Sequence, residues 1–165
     1  MVGLAGPGRR GALALGLATV LVACTSTAKS ADGNGVRTDS EPLERRFVAL
    51  GPLSGAHWLG VVLGTPDSRV PGPTDVRVVG FARLRAGAVA SIVGATRRGF
   101  RSAKPDQLPS TLVQFMPKKA RWVRSESFDR QVTGETYSGM FYFDPGADWV
   151  YFDTVNPSVA SGAGT

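Results

Sequence analysis

The chain has one cysteine, Cys24, and one histidine, His57, among its 165 residues. A single thiol excludes any intramolecular disulfide, so the fold must be held by its core. One imidazole and one thiol also fall short of the three or four ligands that zinc takes, and no metal site is expected. His57 stands beside Trp58 at the start of an apolar run, without the neighbouring nucleophile and orienting acid that would make it a general base. It reads as a structural or surface residue. A glycine-x-serine-x-glycine elbow and a phosphate loop are missing too, because Gly33 with Gly35, and Gly51 with Gly55, lack the required spacing and following helix. Ser26-Thr27-Ala28-Lys29 has a serine-x-x-lysine spacing but lies in a polar stretch that offers no rigid oxyanion site. These absences argue against the common hydrolase, NTPase and zinc-enzyme classes. No catalytic residue is assigned and no cofactor is called for.

A long hydrophobic run is also lacking. Gly11 to Ala23 is uncharged, but its roughly 13 residues are too few to cross about 30 Å of hydrocarbon as a helix. Arg9 and Arg10 precede it, and the small residue Ala23 closes it, which is the three-part pattern of an export signal. Leu21-Val22-Ala23-Cys24 then resembles the lipobox of bacterial lipoproteins, whose cysteine becomes the first residue of the mature chain. The resemblance covers residues 1–24 only. It implies a diacylglyceryl group on Cys24, the membrane as a partner, and a place on the extracytoplasmic face of the cell membrane; two acyl chains anchor durably where one does not. The abundance of Gly, Ala, Val, Arg and Pro resembles usage in high-GC Gram-positive bacteria. The twin arginine leaves the general secretory and twin-arginine export routes both open.

The expected organisation is a signal peptide over 1–23, the lipidated Cys24 with a flexible polar tether over 24–45, one globular domain over 46–157, and a tail over 158–165. The composition is 42% hydrophobic, sufficient to fill one core. Formal charge is +6, unevenly spread. Arg97, Arg98, Arg101, Lys104, Lys118, Lys119, Arg121 and Arg124 face only Asp106 in their stretch, whereas Glu126 to Asp153 holds six acids against Arg130. The eight basic residues form a candidate patch for an anionic partner. A wall polymer, a lipid headgroup or an envelope protein would fit outside the membrane; nucleic acid would not.

The predicted elements are Phe47–Leu50, Trp58–Leu63, Val76–Leu84 and Arg121–Phe128 as strands, Gly87–Arg98 and Ser110–Met116 as helices, and a hairpin of Tyr137–Phe143 with Trp149–Val155. In Val76–Leu84, the residues Val76, Val78, Gly80, Ala82 and Leu84 share one apolar face. A five-residue turn, Asp144-Pro145-Gly146-Ala147-Asp148, would pair Phe143 with Trp149 and Phe141 with Tyr151. Both hairpin faces are apolar, so it must be central or covered. The fold class expected is α+β, an antiparallel sheet of about five strands with one or two helices on one face; an all-β sandwich or small barrel is the alternative. Asp144 and Asp148 could offer oxygens to Ca²⁺, though turn chemistry accounts for them. Asp153, with Glu126 or Asp129, would be the carboxylate pair of a small envelope hydrolase, the alternative to a non-catalytic binding protein.

Overall fold

The computed structural model of this chain describes residues 35–63 and 75–159. The signal segment, Cys24, most of the expected tether, the Pro-rich loop of 64–74 and the end of the tail lie outside the described residues. Six strands, β1 (Leu53–Leu63), β2 (Asp75–Leu84), β3 (Arg101–Ser102), β4 (Val123–Arg124), β5 (Ser138–Asp144) and β6 (Trp149–Val155), form one antiparallel open sheet in the order β1-β2-β6-β5-β4-β3. Three short helices accompany it: α1 (Glu41–Glu44), α2 (Ala88–Val93) and α3 (Glu126–Thr133). The architecture is α+β, with six strands where about five were expected.

The β5–β6 hairpin lies in the interior of the sheet, as its two apolar faces require. Its register, however, is shifted by one residue from the symmetric pairing. Asp144 belongs to β5 and faces Trp149, so Phe143 meets Val150, Tyr142 meets Tyr151 and Phe141 meets Phe152. The turn explains the shift. Asp144 accepts the Ala147 N–H on its carbonyl (3.3 Å) and the Gly146 N–H on Oδ1 (3.1 Å), and Asp148 turns the chain back at φ 53°. Four residues then close the loop instead of five. Because opposed residues share a face, phenylalanines collect on one side of the sheet and tyrosines on the other.

The phenylalanine face carries the helices. Phe141, Phe143, Val150 and Phe152 pack there with Val78, Ala82 and Leu84 of β2, under Leu43 of α1, Val89 of α2 and Phe128 of α3. Phe47 was expected in a strand. It precedes a 3-10 turn, Val48–Leu50, and its ring fits between Phe141 (5.3 Å) and Phe152 (5.2 Å). Burying such a side chain contributes about 2–3 kcal/mol, enough to override a local strand preference. The tyrosine face buries Leu59, Val79, Phe81, Trp122, Tyr142 and Tyr151 beneath a strap, residues 103–120, through Leu112, Leu108 and Phe115. The only regular element of the strap is a 3-10 turn, Ser110–Phe115, where a helix was expected.

Two further elements differ from expectation. The Gly87–Arg98 helix stops at Val93, where Gly94 donates its N–H to Ala90 O (2.8 Å), and the chain resumes as a 3-10 turn, Thr96–Arg98. Arg121–Phe128 is a strand for only two residues before α3 begins. Ser125 accepts the Phe128 N–H (3.2 Å), Glu126 and Asp129 occupy the first turn, and Gly134 ends the helix at φ 56°. These are strong start and stop signals, and they outweigh the aromatic residues that suggested a strand.

Ordered structure also begins before Arg46, where the domain boundary was drawn. Arg37 exchanges backbone hydrogen bonds with Trp58 on the outer edge of β1 (2.8 and 3.0 Å), the Trp58 indole donates to Asp39 O (2.9 Å), and Leu43 is wholly buried. On the opposite side of Trp58, Gly80 leaves no room for a side chain: a Cβ there would lie 2.4 Å from His57 O.

All three tyrosines, Tyr137, Tyr142 and Tyr151, are held above their ordinary value of 10.0, chiefly by burial, Tyr137 up to about 12. A raised folded-state value means that each hydroxyl's contribution to stability is complete below the unfolded value and is lost as pH climbs through the folded one. Absorbance titration is therefore expected to show tyrosinate only above the ordinary tyrosine range, Tyr137 ionising at about 12, with its appearance accompanying loss of stability. A tyrosine titrating near 10 in the folded protein would refute the buried placement.

Candidate functional site

Of the eight basic residues singled out from the sequence, three meet in one place. Arg101 on β3 lies directly opposite Arg124 on β4, and Arg98 reaches the same region from the 3-10 turn before β3. With Gly99, Ser125, Glu126 and Ser127 they line an open cleft of about 400 Å³ at the β3–β4 edge of the sheet. Like charges directly across a strand pair disfavour folding by a few tenths to about 1 kcal/mol, so this juxtaposition is not one that packing alone would select.

The cleft is built from the start of α3. Ser125 and Ser127 both donate hydroxyl hydrogen bonds to Arg98 O, the latter at 2.8 Å, which fixes the loop before β3 against the first turn of the helix. The Arg98 guanidinium lies 4.7 Å over the Phe128 ring and donates to Ile92 O (3.2 Å). Arg124 donates to Asp129 (2.7 Å) and lies 5.6 Å from the Tyr142 ring. Arg101 is exposed, and among the described residues it makes no ion pair. Arg101 is thus the cation most available to a ligand, with Arg98 and Arg124 held as supports.

Asp129 is the organising group. On β5, β4 pairs with Tyr142 and Phe143 alone, and one residue further along the Asp129 carboxylate takes over, accepting the Phe141 N–H at 2.9 Å. One oxygen thereby substitutes for a missing strand while the other holds Arg124. Burial pushes the Asp129 carboxyl up, opposed by the Arg124 guanidinium and the Phe141 amide. Its side chain is 6% exposed and that of Arg124 27%, so the pair sits at the boundary between core and cleft.

The remaining basic residues go elsewhere. Lys104, Lys118 and Lys119 lie exposed on the strap, Arg121 follows it with its backbone N–H on Asp144 Oδ1 (3.4 Å), and Arg97 is exposed in the 3-10 turn before the cleft without lining it. The acids are likewise dispersed. Asp153 binds Arg77 through both oxygens (2.7 and 2.6 Å) on the tyrosine face, opposite Met140. Asp129 is engaged at the β5 edge and Glu126 is exposed at the cleft rim. The three carboxylates considered for hydrolysis are not assembled at one position. Asp148 accepts the N–H groups of Gly87 (3.0 Å) and Val89 (3.1 Å), and Asp144 is occupied by its own turn. Among the described residues no three His, Cys, Asp or Glu side chains gather as a metal site.

His57 stacks on Phe115 with ring centroids 4.0 Å apart, and its Nδ1 lies 3.1 Å from Gly55 O, so it fastens the strap to β1. Sequence reasoning overlooked Ser125, Ser127 and Asp129 as the framework of the cleft. Ser125 followed by Glu126 and Asp129 was the available signal, that of a helix start. No family model, curated protein or solved structure matches this chain.

Replacing Asp129 by Ala removes the acceptor for both Arg124 and the buried Phe141 N–H, and is expected to lower unfolding free energy by about 2–3 kcal/mol. Asp129→Asn, which keeps an acceptor for Phe141, should lose only about 1 kcal/mol. Urea titration checks the order; equal effects would show that Phe141 does not depend on this side chain.

Proposed function

We propose that the chain is a membrane-anchored extracytoplasmic lipoprotein whose folded domain is a non-catalytic binding module, taking an anionic partner of the cell envelope at the β3–β4 edge. The observation that carries this reading is Leu21-Val22-Ala23-Cys24 at the end of an uncharged run behind Arg9 and Arg10. It accounts for the lone cysteine, which has no second cysteine in the chain to pair with. Among the described residues no helix is long and apolar enough to cross a membrane.

The sheet order supports a division of labour between its two edges. The chain coming from Cys24 joins the fold at β1, where Arg37 pairs with Trp58. The arginine cleft lies at the far edge, five strand spacings or roughly 24 Å away. The cleft at that edge is where a wall polymer or an acidic protein would bind. Arg101 would supply the charge that contacts the partner, with Arg98 and Arg124 framing it.

Two measurements test the two halves of this reading. Metabolic labelling with a tagged fatty acid should mark the wild-type chain and not Cys24→Ser, which should shed into the medium; a wild-type product free in the medium with an unmodified thiol would end the lipoprotein assignment. Binding to isolated anionic wall polymer should fall about tenfold in Arg101→Ser and decline with ionic strength, because one charge-assisted contact is lost. Affinity unchanged by either would exclude the cleft.

A further inference from the structure

The 3-10 turn Ser110–Phe115 has two unlike rows. Side chains three apart eclipse in such a turn, so Leu112 and Phe115 form one row and Val113 and Met116 another. The first row is engaged: Leu112 is wholly buried on the tyrosine face and Phe115 stacks on His57. The second faces water, with Val113 54% and Met116 38% exposed. Immediately beyond, a turn closed by Ala120 N–H on Pro117 O (3.3 Å) carries Lys118 and Lys119, both exposed and without an ion pair among the described residues. The packing of the strap needs neither Val113 nor Met116 to be apolar. An apolar ridge bordered by two cations matches the two layers of an anionic lipid surface, hydrocarbon below and phosphate above.

The position of this ridge favours a membrane over other occupants. Phe115 and His57 fasten it to β1, the edge at which the chain from Cys24 joins the fold, and Leu63 at the end of β1 is exposed on the same face. Ten residues lie between Cys24 and Gly35, the first described residue, so the two can be at most about 40 Å apart. An anchored domain is therefore confined to a thin layer above the lipid, where even a millimolar surface affinity keeps it docked.

We propose that Val113 and Met116, bordered by Lys118 and Lys119, seat the folded domain on the anionic lipid surface of the membrane. The inference rests on the lipoprotein reading only in that the anchor supplies proximity; the docking surface itself acts without it. The test uses the chain from residue 24 with Cys24→Ser, so that no acyl chain contributes, and vesicles of phosphatidylcholine with and without phosphatidylglycerol. Sedimentation is expected to show binding to the anionic vesicles alone. Lys118→Ser with Lys119→Ser should weaken it about twenty-five-fold, at roughly fivefold for each lysine near an anionic surface. Val113→Ser with Met116→Ser should weaken it about tenfold without moving the urea midpoint, since both side chains are exposed. Arg97→Ser with Arg130→Ser, exposed cations near the far edge that do not line the cleft, should stay within about twofold, which separates this surface from a general effect of positive charge.

Absence of binding to anionic vesicles, equal losses in the far-edge variant, or no loss on replacing Val113 and Met116 would each overturn the proposal. A photo-crosslinking side chain in place of Val113 should capture lipid in intact cells; capture of a protein instead would assign the ridge to a protein partner and refute the lipid surface. Vesicle binding with failed fatty-acid labelling would remove the anchor and keep the docking face, and the converse result would do the opposite.

Discussion

Asp144 opposite Trp149 is the pairing on which the other tertiary relations depend. A slip of one residue in an antiparallel pair carries every side chain to the other face, and β5 and β6 are apolar on both. The turn hydrogen bonds of Asp144 resolve that ambiguity, assigning phenylalanines to one side and tyrosines to the other. A sheet buried on both faces needs two covers. Helices α1, α2 and α3 supply one, and the long strap of 103–120 supplies the second. Because a 3-10 turn can bury only part of its circumference, covering the tyrosine face with the strap necessarily turns another row of side chains outward.

The two edges of the sheet are finished differently, and the differences carry the functional reading. At β1 the preceding chain pairs at Trp58, with Arg37 4.1 Å over the indole ring. At the other edge the strands shrink to two residues each, and Asp129 completes the ladder with a carboxylate in place of a strand. That substitution places a buried acid beside Arg124 and opens the cleft in which Arg98 and Arg101 also stand. A short, charged edge also resists pairing with another chain, so the features that suit an anionic ligand suit solubility too.

Legibility in the sequence followed the range of the interaction. The face of β2 made of Val76, Val78, Ala82 and Leu84 was readable because alternation is a property of neighbouring residues, and so was the hairpin, with its Pro-Gly turn between aromatic runs. The register was not, since it depends on what the Asp144 carboxylate binds, including an N–H at Arg121. Arg121–Phe128 reads locally as a strand carrying Trp122; once Ser125 caps the helix, the Phe128 ring fills the core from α3. The eight basic residues formed one patch only along the chain. Folding sends Arg98, Arg101 and Arg124 to one edge, and Lys104, Lys118 and Lys119 to the strap.

From contiguous residues alone come the lipobox reading at Cys24, the absence of an intramolecular disulfide, the α+β composition of the domain and the covered hairpin. Each depends on covalent neighbours or on local periodicity, which need no distant partner. Tertiary structure alone decided the register of β5 on β6, the conversion of Glu126–Thr133 to helix, the dispersal of Asp129 and Asp153 to separate arginines, and the meeting of Arg101 with Arg124. These outcomes are set by contacts between segments far apart in sequence, where the burial of whole side chains outweighs the small preferences that a local pattern can express.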